Sequence, residues 1–600
     1  VNTKQIILFF TLSILLMPLL SPLYIYGEDV EPMTPVSEVV PFDSYHIIPV
    51  NNILYPRLLA PIFAVSGDIK TIYIYPASTD NALDGWSVSL LNKITGEVYS
   101  LEVINVRWVT DDREENVVNK YVAIDVKVPQ GIKRALYNLV LERASRYEEP
   151  NSFYVFGDTY PDSITVAHIS DNHIGPGQKS KYMKENKFFS RALATLEALG
   201  VDLIISTGDF VDGIRDEDFH IFVYNWLSTL SVPFIVCTGN TDYSVMEGNQ
   251  WHWEKYLAPN SAGIRINNIL ILSINARNGD LPDSTITWIE DVLRKNIDAN
   301  IKVYIQHYPS FDPNSTSEKV INKLAEWAEN YGLNLALHGH FHNDIIKTPP
   351  ETPFTTIVST STATTNLYRG FRILTLYEDG SIEYEENSRN LYETYVEYLQ
   401  PNTYTSTGQT AIVKYRNMPL TLIIKLKDIG KEAIVEGAEK TAEYVFNGLR
   451  TVYISVTPVE EEVTIKVYQE QDTIPPSIRA IVTATVNEIE IRPIVTDEGL
   501  GVAEIKVYYS PDNESWTEFT PEIEDEVLIF VMKTPQYNIY YYKIVARDIA
   551  GKESSYYGYV ELGLGPEEKP VQPSIQLEYL AIIILLLVVI VGYVIWRVKR

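Results

Sequence analysis

Five short stretches in the middle of the chain carry side chains able to hold metal ions. HISDNHIG supplies Asp171 and His173, STGDFVDG supplies Asp209, and TGNTD supplies Asn240. YIQHYP supplies His307, and ALHGHFHN supplies His340 and His342. Mixed imidazole, carboxylate and amide-oxygen donors suit Zn, Mn, Fe or a similar divalent ion rather than Ca or Mg alone. The donors exceed what one catalytic zinc takes, and they suit two ions with one carboxylate shared between them. Each motif is weak by itself. Asp-x-His and Gly-His-x-His recur by chance, a single histidine is most often structural, and TGNTD alone reads as turn chemistry. The signal is the set, occurring in order.

Each motif closes an apolar run: ITVAHIS, VDLIIS, PFIVCT, KVYIQ and LNLALH. Helical patterns lie between them. The stretch after Lys179 puts Phe189, Leu193 and Leu196 on one face, and 317–331 does the same with Val320, Leu324, Trp327, Ala328 and Tyr331. Strands alternating with helices predict an α/β domain over about 161–390. In such sheets the carboxyl ends of the strands open onto one crevice, so the motifs converge without being neighbours in sequence. Gly208, Gly239 and Gly339 each precede a donor, as sharp turns over a sheet edge require. The flanks are of another class. Short β-type runs with turn residues between them predict a β-sandwich over 28–160. A small β domain is expected at 391–471 and a further β module at 472–562.

The pattern D-x-H, G-D-x-x-D, G-N-x-D, H and G-H-x-H resembles the calcineurin-like metallophosphoesterase superfamily. The resemblance implies a central two-sheet α/β sandwich, here flanked by all-β modules, with two divalent ions (Mn, Zn or Fe) at the strand ends. By it, Asp171, His173 and His342 hold one ion, Asn240, His307 and His340 hold the other, and Asp209 bridges them. It also implies hydrolysis of a phosphate ester by in-line attack of an activated water on phosphorus, with Asp209, Asn240, Thr241 and Asp242 at the catalytic core. One residue departs from the family. Thr241 stands where the family carries a histidine that contacts the scissile phosphate; threonine donates a hydrogen bond but cannot deliver a proton near neutral pH. His220 and His252 are auxiliary candidates for that task. Asp212 replaces the tyrosine of purple acid phosphatases and is expected behind the ligands, Asp242 is expected to brace its turn, and His168 and His338 are expected inside their strands. The 472–562 module, with DTIPP at its entry and ARDIAG near its end, resembles immunoglobulin-like or fibronectin-type modules.

Composition narrows the partners. The formal charge of −29 comes with no basic stripe, which argues against a nucleic-acid partner. The single cysteine, Cys237, allows no disulfide framework and reads as a small buried hydrophobe. No H-E-x-x-H is present, which removes a zinc protease of that type. Residues 1–27 have the layout of a signal peptide and 563–576 that of a Pro-rich stalk. Leu577 to Trp596 is apolar enough for a transmembrane helix, with a basic tail at 597–600. Asn314 and Asn513 sit in glycosylation sequons. These features point to a cell-surface, membrane-anchored phosphoric ester hydrolase, its β modules contacting surface proteins or glycans. An alternative remains open at this level: a surface binding ectodomain whose phosphoesterase module keeps metal but turns over weakly or not at all.

Overall fold

In the Leu203–Ser206 strand, Leu203 and Ile205 enter one hydrophobic core while Ile204 enters another. That alternation is the period of two of a strand covered on both faces. It organises the computed structural model, which describes residues 39–562 apart from 44, 81, 111–119, 176–179, 213–216, 243–251, 349–353, 363–367, 401–404 and 525–526. The expected signal peptide, stalk, transmembrane helix and tail lie outside the described residues. Among those described, no helix is long and apolar enough to cross a membrane.

The central domain has two sheets. The first runs Phe234–Val236, Leu203–Ser206, Ser163–Ile169, Gly370–Tyr377, Ile382–Tyr384, with the opening three parallel. The second runs Ala262–Ile266, Ile269–Ser273, Ile301–Ile305, Leu335–His338, Thr355–Val358, Ile345–Lys347, parallel through its middle four. Between the sheets lie Val166, Ile205, Ile235, Ile271, Val303 and Leu337. The outer face of the first sheet is covered by the Ser180–Leu199 and Glu217–Leu227 helices through Phe189, Leu193, Leu196 and Trp226. The outer face of the second is covered by Asp283–Lys295 and Glu318–Tyr331 through Ile289, Val292, Leu324 and Trp327. Ser317 caps the last of these helices, its side chain accepting from the Val320 amide, and Gly332 ends it at a φ of 74°. The helical faces expected from spacing are the buried ones.

Register places the site. Ile169, Ser206 and Val236 are lateral partners, so three consecutive motifs leave the first sheet at one level. Ile305 and Leu337 are partners in the second sheet, which brings out the two histidine-bearing motifs together.

The N-terminal segment is less separate than a flanking module. Its eight strands form one path, and Val98–Thr110 spans both halves by pairing first with Ser87–Leu91 and then with Lys120–Lys127. Its core, however, is continuous with the interior of the central sandwich. Phe42 bridges to Ala262, the Trp288 indole donates to Val40 O at 3.0 Å, and Arg57 pairs with Glu149 while donating to Glu254 O at 2.9 Å. Arg57 and Glu149 are fully buried, so the pair's desolvation is compensated only where both partners stay in place. The seam at residue 160 is therefore no hinge.

Downstream, residues 395–468 form a β-sandwich of a four-stranded and a three-stranded sheet, packed on the Ser180–Leu199 helix through Ala194 and Ala198. Residues 477–561 form two four-stranded sheets around Ile491, Val507, Phe530 and Ile544. Cys237 is buried, as expected.

Candidate metal centre

The turns after the strands bend sharply. Asp171, His173, Asp209, His340 and His342 all take positive φ, between 45° and 71°. Apart from Thr534, every other non-glycine residue in that region among the described residues is an asparagine, which tolerates it better. Left-handed backbone at Asp and His costs about 1–3 kcal/mol apiece and persists where surrounding structure enforces it, typically at functional sites. The glycines show the enforcement. A Cβ on Gly239 would sit 2.3 Å from Asp209 Oδ1, one on Gly208 2.8 Å from His307 Nδ1, and one on Gly339 1.9 Å from Ser170 Oγ. These turns pack backbone against donor, leaving no space for side chains.

Two donor groups result. Asp171, His173 and His342 each offer an atom within 4.8 Å of the others, and so do Asp171, Asp209 and His307. In the first, His342 Nε2 lies 3.1 Å from Asp171 Oδ1 and 3.4 Å from His173 Nε2, while His173 Nε2 is 3.8 Å from Asp209 Oδ2. In the second, His307 Nε2 lies 3.4 Å from the same Asp209 oxygen and 3.1 Å from Asn240 Oδ1. His340 Nδ1 is 3.1 Å from Asn240 Oδ1 and 3.2 Å from His307 Nε2. Donors held about 2.0–2.2 Å from a shared ion stand about 3 Å or slightly more from one another. The donor set, its spacing and the glycine cradle fit two divalent ions, with Asp209 Oδ2 facing both groups.

Charge fits as well. Burial pulls His307 down, but Asp209 and Asp171 outweigh it and hold the imidazole up to about 9. Burial likewise opposes the ionised forms of Asp209 and Asp171, yet neighbouring histidines keep both below the usual carboxylate range. His173 is lowered by burial and raised more by Asp212 and Asp209, whereas His340 is lowered by burial and by His307.

The supporting contacts orient the donors. His307 Nδ1 meets Thr207 O at 2.8 Å and His173 Nδ1 meets Asp212 Oδ1 at 3.2 Å, which turns each Nε2 inward. Asp212 therefore lies behind a donor, as expected. Asp242 accepts from the amides of Phe210, Val211 and Gly239 and so ties two turns together; burial and the Asp209 charge push its carboxyl up to about 7 against those amides. Thr241 N–H donates to Asp209 Oδ1 at 2.8 Å, and its hydroxyl donates to Val211 O at 2.7 Å.

His220 and His252 pack on each other, 5.2 Å between ring centroids, and neither falls within the two donor groups. His338 is buried and bonds Ser310 and Gln306, as a strand-interior histidine should. His168 is linked further than sequence suggested. It meets Thr207 Oγ1 at 3.0 Å, Thr207 donates to Ser170 Oγ at 2.9 Å, and Ser170 donates to Asp171 Oδ2 at 2.6 Å. Sequence reasoning missed Ser170 and Thr207. Both stand beside a donor motif, but small hydroxyl residues are too common there to stand out.

Comparison with known families bears on this segment. The calcineurin-like phosphoesterase pattern matches residues 164–344. Among solved structures, a dimetal phosphatase from Danio rerio is 13% identical, aligning 38% of this chain with 96% of that one at a TM-score of 0.30. GAP50, described as the anchor in the inner membrane complex of Plasmodium, is 13% identical, with 40% and 85% aligned and a TM-score of 0.28. No curated protein matches.

Proposed function

We propose that the chain, whose central domain is a calcineurin-like phosphoesterase domain, hydrolyses phosphate esters at a two-metal site. The single observation that carries this reading is the pair of donor groups, which share Asp171 and which Asp209 Oδ2 faces from 3.8 and 3.4 Å, on turns whose backbone is strained to form them. Asp171, His173 and His342 would hold one ion, Asn240, His307 and His340 the other, and Asp209 both. Two bound divalent ions would supply charge to the phosphate oxygens and acidify a water. The chain itself does the positioning. Thr207 and Asp212 fix imidazole orientation, Asp242 locks the Asp209 and Asn240 turns together, and the Thr241 amide holds one Asp209 oxygen so that the other faces the donors.

Thr241 also marks where activity should be weak. Its hydroxyl proton is committed to Val211 O, so it offers the leaving oxygen nothing. That favours a second reading, a metal-holding module of low turnover. We further propose, from the apolar 577–596 segment and the β modules, a surface-anchored protein whose 472–562 module is of the immunoglobulin or fibronectin type. The test of function is hydrolysis of an aryl phosphate by the full chain with Mn or Zn and after chelation. Metal-dependent turnover supports the enzyme; two bound ions without turnover support the second reading.

A further inference from the structure

The two motifs that marked the C-terminal module, DTIPP and ARDIAG, meet a third stretch, TDEGLG, in space. Asp472, Asp497 and Asp548 each offer an oxygen within 4.8 Å of the others. They are 8%, 5% and 1% exposed, and among the described residues no lysine, arginine or histidine pairs with any of them. An acidic cluster alone would mean little, but two of these carboxylates are left half unsatisfied. Asp497 Oδ2 accepts from Gly499 and Gly501 amides at 3.0 and 2.7 Å while its Oδ1, buried, has no hydrogen-bond partner among the described residues. Asp548 Oδ1 accepts from Lys552 N at 2.7 Å while its Oδ2, also buried, has none. Buried carboxylate oxygens without a partner are costly, and three buried carboxylates with no counter-charge are costlier.

We propose that Asp472, Asp497 and Asp548 form a binding site for one hard divalent cation, calcium by preference, that pins the C-terminal module to the module before it. Oxygen-only donors select such an ion over the nitrogen-preferring metals, and calcium tolerates the irregular geometry of three turns better than magnesium does. The pinning follows from where the Asp497 loop sits. Gln400 Nε2 donates to Gly499 O at 2.8 Å, Thr410 Oγ1 to Leu500 O at 2.7 Å and Ser406 Oγ to Asp497 O at 3.1 Å, all across the module junction. Gly499 is required for the close approach, because a Cβ there would lie 2.0 Å from Asp472 Oδ2.

Equilibrium dialysis with radioactive calcium on the full chain tests this, comparing wild type with Asp497→Asn and with Asp472→Asn/Asp497→Asn/Asp548→Asn. Asp497→Asn keeps an oxygen for the Gly499 and Gly501 amides, so it folds if any variant does. Its unchanged cooperative melting in chelator confirms that. Wild type is expected to bind one more calcium than either variant, half-saturating between about 10⁻⁶ and 10⁻³ M. In wild type alone, calcium should raise the melting temperature of the C-terminal module and slow proteolysis near residue 472. Equal calcium stoichiometry in wild type and variants overturns the proposal. So does a wild type that binds no calcium and is stabilised by Asp497→Asn at neutral pH, since the cluster would then be sharing a proton.

Discussion

Asp209 and Asp497 are both buried carboxylates just past a strand, and they keep different company. Asp209 faces imidazoles from two sheets, and His307, the nearest, is 3.4 Å away. Asp497 faces two other carboxylates and backbone amides. Around Asp209 the counter-charge exists without an ion, because the histidines can carry protons. Around Asp497 it does not. A mixed donor set suits transition metals, whereas an all-oxygen set suits a hard divalent cation. Backbone tells the same difference: Asp171, His173, Asp209, His340 and His342 themselves take the left-handed region, but near Asp497 it is Gly501 that takes the positive φ, 102°.

The sharpest way to break this contrast is to remove one carboxylate at a time. Asp209→Asn should cost more than about 100-fold in phosphoesterase rate, beyond the range of an orienting partner, while Asp497→Asn should leave the rate unchanged. His342→Ala should lower the occupancy of mainly one transition-metal ion. Steady-state kinetics with metal analysis reads all three variants.

Next in size is Thr241→His. A positioned acid is worth roughly 10²–10⁴ in rate where the leaving oxygen must be protonated. Alkyl phosphates should gain that much, and aryl phosphates, which leave readily, far less. A series of leaving groups measured for both proteins would show a steep dependence in wild type that flattens in the variant. Equally shallow slopes would assign the proton to another group.

Smaller effects sharpen the account of orientation and charge. Thr207→Val cuts the chain from His168 to Asp171, and metal affinity should fall about tenfold with the fold intact. Titration calorimetry in buffers of different ionisation enthalpy reads the charge. His307 is held up to about 9 by Asp209 and Asp171, so it is protonated at pH 7 in the metal-free protein. Binding a metal must eject that proton, so affinity should rise with pH until about 9 and level off above it. A metal affinity independent of pH between 6 and about 9 would show that His307 is not a ligand.

The central domain was legible because its elements repeat a simple pattern. Strand residues such as Leu203, Ile204 and Ile205 alternate between two cores, and helix residues such as Leu324 and Trp327 fall at helical spacing. The donor motifs were legible because glycine and a metal-binding residue recur at strand ends. Other features had no local signature. The fused N-terminal core depends on contacts such as Trp288 to Val40, far apart in sequence. The Asp472 cluster depends on three turns whose aspartates read individually as turn residues. The Ser170–Thr207 relay is chemically plain in space and invisible in composition.

The most direct measurement is the transition-metal content of the full chain after saturation with Mn or Zn and removal of free ion, for wild type and Asp209→Asn. Two ions per wild-type chain are expected, with both sites weakened together by the substitution because Asp209 Oδ2 faces both donor groups. A single ion in saturated wild type, or two retained undiminished in Asp209→Asn, would contradict the two-metal site on which the proposed function rests.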